Sequence, residues 1–362
     1  MSTHTGHDAG SPANQPAPSA EPASPSPAGK SAMGRVLKIG AQILGFAIGL
    51  GLLTWCVRIA LQPRNREALA HLQDASAGQI AMLIGLSLVV VYASGAAFRE
   101  TLRPIKRLPM MEAQATNVIA CLLALLPFKL SVFFRVFIHN RRDRVPLLTI
   151  GAWFSAVGVV ILCVLVPMLG ASFWRRGVDV PWVASTFGGM AALLTTVLFV
   201  ARALREERGW AWVQSHSARL PLPDRVRAGS NFSTAMFEKA HEGVRMLASP
   251  RVVFGCALLR LIDLGSQAGR IALAAAILHV PLHWDHALLA GCTFFLIGAA
   301  APTGQLGTRE AGTAKLIAIV LPNIDLDQFI PVVLTVTGVE AAVLLVGSVI
   351  GAAYLRPWKL AK

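Results

Sequence analysis

The chain is built from apolar blocks, and six of them are long enough to cross a bilayer as helices. A spanning helix needs about 20 consecutive, mostly apolar residues. The six lie near 39–60, 77–98, 146–170, 180–203, 252–278 and 328–354. Two further blocks, 112–139 and 286–321, are interrupted by proline and glycine. Only 14% of the 362 residues are charged and 54% are hydrophobic. Soluble domains carry about 25% charged residues, so most of this chain has no water-facing surface. The pattern predicts an all-α polytopic membrane protein with about six spanning helices and two broken ones.

The segments between the blocks are polar. Residues 1–32 are rich in Ala, Pro and Ser and bury too little apolar surface to fold, which predicts a disordered tail. Residues 204–250 contain Trp210, Trp212 and many charges, and read as a cytoplasmic, interfacial connection. The net charge of +14 sits in short loops, where it sets topology and meets anionic lipid. That distribution argues against a nucleic-acid partner. Cys56, Cys121, Cys163, Cys256 and Cys292 all fall inside apolar blocks, with no Cys-x-x-Cys pair to suggest a disulfide framework or zinc.

Lys and Arg orient the loops, because basic loops stay in the cytoplasm. The N-terminal flank, the loop with Arg99, Arg103, Lys106 and Arg107, and the loop with Arg141, Arg142 and Arg144 all read as inside. Both flanks of the first broken block are therefore on one side. The flanks of the second, His279 to His286 and Pro322 to Gln328, lack Lys and Arg and read as outside. Each broken block is expected to enter and leave by one face. The unit 77–170 and the unit 252–354 then form an inverted repeat, an architecture that places transport sites at the breaks. Both termini are expected in the cytoplasm.

The breaks carry the chemistry. Pro127 and Pro302 each remove a backbone donor, and Gly304 and Gly307 allow conformations closed to other residues. Irregular backbone at membrane depth must be buried in protein or line a wet cavity. Each break also exposes the N-terminus of a half-helix, near Ser131 and near Thr308, suited to an anion such as phosphate. Lys129 and Arg135 add positive charge at the first break and Arg309 at the second. The competing reading is that these residues merely kink packed helices.

Other intramembrane charges point the same way. Arg260, Asp263 and Arg270 form a stripe that either lines a headgroup path or is a structural ion pair. Glu340 is a candidate partner for Arg260, Arg270 or Arg309. Glu310 suits the first turn of its half-helix. Arg309 and Glu310 are sequence neighbours and are not expected to pair. The run His279-Val-Pro-Leu-His283-Trp-Asp285-His286 fits interfacial His and Trp better than a metal site. No Gly-x-Ser-x-Gly, His-Glu-x-x-His or phosphate-binding Gly-x-x-x-x-Gly-Lys segment occurs, so neither an enzyme nor a cofactor is expected.

With these segments in view, the chain resembles the flippase-like membrane family related to the lysylphosphatidylglycerol synthase transmembrane domain. Pro302-Thr-Gly-Gln-Leu-Gly-Thr-Arg-Glu310 resembles that family's Pro-Gly-Gly-Leu-Gly-x-x-Glu segment. Leu126-Pro-Phe-Lys-Leu-Ser-Val-Phe-Phe-Arg135 resembles its Leu-Pro-x-x-x-Gly-(acidic)-x-x-Arg segment. Here Ser131 and Val132 replace the glycine and the acid, and Glu340 stands where relatives often carry Arg. The resemblance implies a flippase-like domain over residues 33–362 with two re-entrant helices. It implies translocation or binding of a phosphate-bearing, anionic lipid headgroup in a bacterial inner membrane. The alternative is a membrane enzyme, or an accessory with a lipid-modifying enzyme partner, in lipid-linked glycan or envelope lipid assembly.

Overall fold

The computed structural model describes residues 32–126, 129–206, 211, 215, 241–301, 304–322 and 324–359. Most of the tail at 1–32, Pro127, Pro302, Trp210, Trp212 and most of the 204–250 connection lie outside the described residues. The chain divides into two units, residues 1–41 and 42–362, and the second is the subject from here on.

Ten helices of a dozen residues or more are described. They are α1 (Ala32–Ala60), α2 (Ala77–Leu102), α3 (Met110–Leu125), α4 (Leu130–Arg141) and α5 (Leu147–Arg175). Then follow α6 (Val180–Arg205), α7 (Pro250–Ile277), α8 (Trp284–Ala300), α9 (Thr308–Val320) and α10 (Leu326–Leu355). Six are long and apolar enough to cross a membrane: α2, α5, α6, α7, the Ile43–Ala60 part of α1, and α10 with the residues just beyond it. The other four are the two shorter pairs α3–α4 and α8–α9, and they occupy the interrupted blocks.

Local chemistry sets several helix starts. Ser76 accepts from the Gln79 amide at 3.2 Å while Gln79 returns to the Ser76 amide, a capping box that opens α2. Asp179 caps α6 through the Trp182 amide, and Asp325 caps α10 through the Asp327 amide. The Arg175 guanidinium and the Trp182 amide hold the Asp179 carboxyl below the usual range. Pro167 and Pro331 sit inside helices without ending them. A bundle can re-satisfy the carbonyls that proline frees, so proline alone does not make a break.

Burial identifies the centre. In its most apolar window α7 is 56% buried and α6 only 17%, so α7 is central and α6 lies at the rim. α7 packs along α2, and the helix pairs are cross-braced. α10 packs on α3, and α5 packs on α8. Gly291 of α8 permits the close approach of α8 to α7: a Cβ there would stand 2.7 Å from the Ala268 nitrogen. Trp153 of α5 is buried and donates to the Phe98 carbonyl of α2 at 2.9 Å.

Contacts group the helix ends. Arg142, just past α4, reaches Glu112 in the first turn of α3 at 2.6 Å and donates to the Leu355 carbonyl at the end of α10 at 3.1 Å. At the other end of α10, Asn65 donates to the Asp327 carbonyl at 3.1 Å and Arg64 pairs with Asp327. The His71 and His279 rings, the latter just past α7, lie 4.2 Å apart. Asp285 in the first turn of α8 lies beside Gly177, between α5 and α6.

Candidate functional site

The residues that follow α8 meet the end of α3. The Gln305 amide donates to the Ala124 carbonyl at 3.1 Å, joining the inner ends of the two helix pairs. Beside this junction is a cavity of about 280 Å³. Ser131, Arg135, Arg260, Asp263, Gln305 and Arg309 are among the side chains that line it, with Phe98, Phe294 and Phe295 as apolar walls.

Helical spacing builds one wall. Arg260, Asp263, Gln267 and Arg270 stand three or four residues apart on α7, so they share a stripe. All four are buried. Arg260 pairs with Asp263, as the i,i+3 spacing predicts. Its Nε and the Asp263 Oδ1 have no hydrogen-bond partner among the described residues. Arg270 does not pair with Asp263. It donates to Gln267, to Ser87 at 3.3 Å and to Glu340 at 3.2 Å.

Glu340 sits between two cations. Its Oε2 takes Arg270 and its Oε1 takes Arg309 at 3.2 Å. This fixes α10 to α7 and to α9, and it leaves Arg260 to Asp263. Arg309 and Glu310 form an ion pair at 3.3 Å, against the sequence expectation. The neighbour rule describes the middle of a helix. Here both residues stand in the first turn of α9, where a carboxylate serves the free amides. Glu310 Oε2 accepts the Gly307 amide at 2.5 Å, which turns its Oε1 toward the Thr337 hydroxyl at 2.7 Å and within reach of Arg309.

Arg135 differs from the other three arginines. It is 8% exposed, donates to the Asn117 carbonyl oxygen at 2.5 Å and stacks 4.1 Å above the Phe98 ring. It has no carboxylate partner among the described residues. Asn117 is held by its own bond to the Val91 carbonyl at 2.8 Å, so the Arg135 site is preset. Arg309 stacks on Phe294 at 4.0 Å and Arg260 on Phe295 at 5.1 Å. Aromatic faces suit a guanidinium that has lost water.

The remaining residues named from the sequence are placed as follows. Lys129 precedes α4 in the left-handed region, with φ 49°, and is exposed. Like Arg270, Gly304, Gly307, Thr308 and Glu310, it is not among the cavity-lining residues. Thr308 is half-buried at the start of α9, Gly304 has φ 114°, and Gly307 is buried with φ 81°. Asn117, Gln267, Ser87 and Thr337 belong to the network but escaped the sequence reading, and Gln305 entered it only as part of the second motif. Asn117 and Gln267 were detectable as polar residues inside apolar blocks. No group of three metal-ligating side chains occurs among the described residues.

Residues 42–348 match the family model of the lysylphosphatidylglycerol synthase TM region. No curated protein and no solved structure matches the chain.

Proposed function

The chain belongs to the lysylphosphatidylglycerol synthase TM region family, and from that premise we propose that it carries an anionic, phosphate-bearing lipid headgroup through the cavity between its two helix pairs. It is a multi-pass membrane protein. The observation that carries the proposal is Arg135, a buried guanidinium with no carboxylate partner among the described residues. Arg135, Arg260, Arg270 and Arg309 stand against Asp263, Glu310 and Glu340, an excess of one positive charge. An unpaired charge at membrane depth is costly, and an anionic ligand neutralises it. The open valences of Arg260 and Asp263 give a headgroup further polar contacts. Ser131, at the start of α4, lines the cavity and would face it, Gly304, Gly307 and Thr308 shape the start of α9 behind it, and Lys129 would act at the cavity mouth.

On this reading each helix pair is a re-entrant hairpin, entering and leaving by one face. The Glu112–Arg142 contact supports it for α3–α4. The position of Asp285 beside Gly177, and of Val320 shortly before α10, supports it for α8–α9. Exchange of the units α2 to α5 and α7 to α10 maps the α3–α10 packing onto α8–α5, which supports an inverted repeat. The basic end, with Arg99, Arg103, Arg141 and Arg142, then faces the cytoplasm of a bacterial inner membrane, together with both termini.

Proteoliposomes carrying a fluorescent anionic phospholipid test the function. The protein should speed leaflet exchange over empty liposomes, more for the anionic lipid than for a zwitterionic one. Arg135→Gln should slow that exchange about tenfold or more, since a charged hydrogen bond contributes about 1.5–3 kcal/mol. Its unfolding midpoint should hold, because no carboxylate loses its partner. Equal exchange with and without protein would remove the proposal.

A further inference from the structure

A second concavity, of about 580 Å³, lies at the basic end of the bundle. Arg103, Arg107, Arg205, Arg245 and Arg251 line it, with Glu242 as the one carboxylate among the described lining residues. They converge from well separated places: the end of α2 and its following turn, the last residue of α6, the helical segment 241–247, and the first turn of α7. Glu242 already accepts the Thr149 hydroxyl at 2.5 Å, and Arg103 is tied to Glu100 at 3.1 Å. Arg107, Arg205, Arg245 and Arg251 are exposed and make no ion pair with a described carboxylate.

The start of α7 adds to this field. Ser249 precedes the helix without a side-chain cap bond, and Pro250 has no amide hydrogen. The Arg251 and Val252 amides fall among the helix's unmatched donors, and both residues line the concavity. A long helix contributes partial positive charge there. Loops at a cytoplasmic face are basic in general, but generic topology charges have no reason to converge on one hollow. Arg251 stands nine residues before Arg260 on α7, roughly 14 Å along the axis, so this site is separate from the central cavity.

We infer that this arginine-lined hollow is a second anion site, which binds a phosphoryl group at the basic end of the bundle. The group could belong to a lipid headgroup at the membrane surface or to a soluble phosphate compound. Planar guanidinium groups from several directions match phosphoryl oxygens better than a single ammonium does.

The test uses the full chain in phosphatidylcholine nanodiscs, with two probes. Pyrophosphate is titrated from solution, and phosphatidic acid is supplied in the bilayer and read by competition with a labelled copy. The variant Arg107→Gln, Arg245→Gln, Arg251→Gln should bind the active probe about tenfold or more weakly. The matching Lys triple should bind at an intermediate level, since it keeps charge and loses the planar fork. The control Arg141→Gln, Arg144→Gln, Lys359→Gln removes as much charge from the same end, outside the hollow, and should bind as wild type. Adding Arg135→Gln, which weakens the central site, to each of the two Gln triples should leave the difference between them intact, which separates this site from the central one. Response to phosphatidic acid alone assigns a lipid headgroup, and response to pyrophosphate alone assigns a soluble phosphate. Wild type that binds neither probe, or equal weakening in the two Gln triples, would overturn the inference.

Discussion

Glu340→Leu is expected to cost about 3–5 kcal/mol of stability, the usual loss when one partner of a buried ion pair is removed. The substitution strips Arg270 of its only carboxylate among the described residues and leaves Arg309 with Glu310 alone. Both guanidinium groups are nearly fully buried and cannot recover water. The protein should unfold at a clearly lower temperature in detergent than wild type. Adding Arg270→Met to Glu340→Leu should recover part of the loss, because one orphaned cation is then gone. A double-mutant cycle isolates this coupling. A single Glu340→Leu variant as stable as wild type would show that the Arg270–Glu340–Arg309 bridge does not hold α10 in place.

Gly307→Val should be nearly as damaging, for a backbone reason. Gly307 has φ 81°, a conformation that β-branched residues resist strongly. A Cβ there would run into the Gly49 carbonyl of α1 and come within 2.8 Å of the Leu53 nitrogen. The backbone strain and the overpacking together come to about 2–5 kcal/mol. The shift would also disturb the Gly307 amide bond to Glu310. Gly51→Ala, on α1 where an added Cβ meets nothing within 4 Å, serves as the comparison and should be neutral or slightly stabilising. Equal thermal midpoints for both variants would mean that the approach of residue 307 to α1 is not a tight one.

Much of this architecture is readable in the sequence because bilayer length is a coarse, one-dimensional constraint. The apolar blocks at 77–98, 146–170 and 252–278 needed only small boundary changes: α2 and α5 run on past the apolar run to Leu102 and Arg175, and Pro250 at a first turn starts α7 slightly before it. The interrupted blocks became α3–α4 and α8–α9 for the same reason. The pairing within the site was less readable. Glu340 had three candidate cations, and the choice of Arg270 and Arg309 depends on how α10 packs against α7 and α9. The Arg309–Glu310 pair was misread because a mid-helix rule was applied to a first turn, where capping turns the carboxylate. Lys129 looked equivalent to Arg135 in charge. One is exposed at the turn before α4, while the other points inward from the next helical turn.

The oppositely entering hairpins are the central claim, and their bases report on it most directly. Single reactive cysteines at Met111 and Arg141 mark the two bases of the first hairpin, and those at His283 and Gln328 mark the second. All four positions are exposed. Membrane vesicles of known orientation are treated with an impermeant thiol reagent, in a background with Cys121 replaced by serine. The account predicts that positions 111 and 141 react from one face, and that positions 283 and 328 react from the other. Reaction of 111 and 141 from opposite faces would mean that the first helix pair spans the membrane, and the re-entrant account would be wrong.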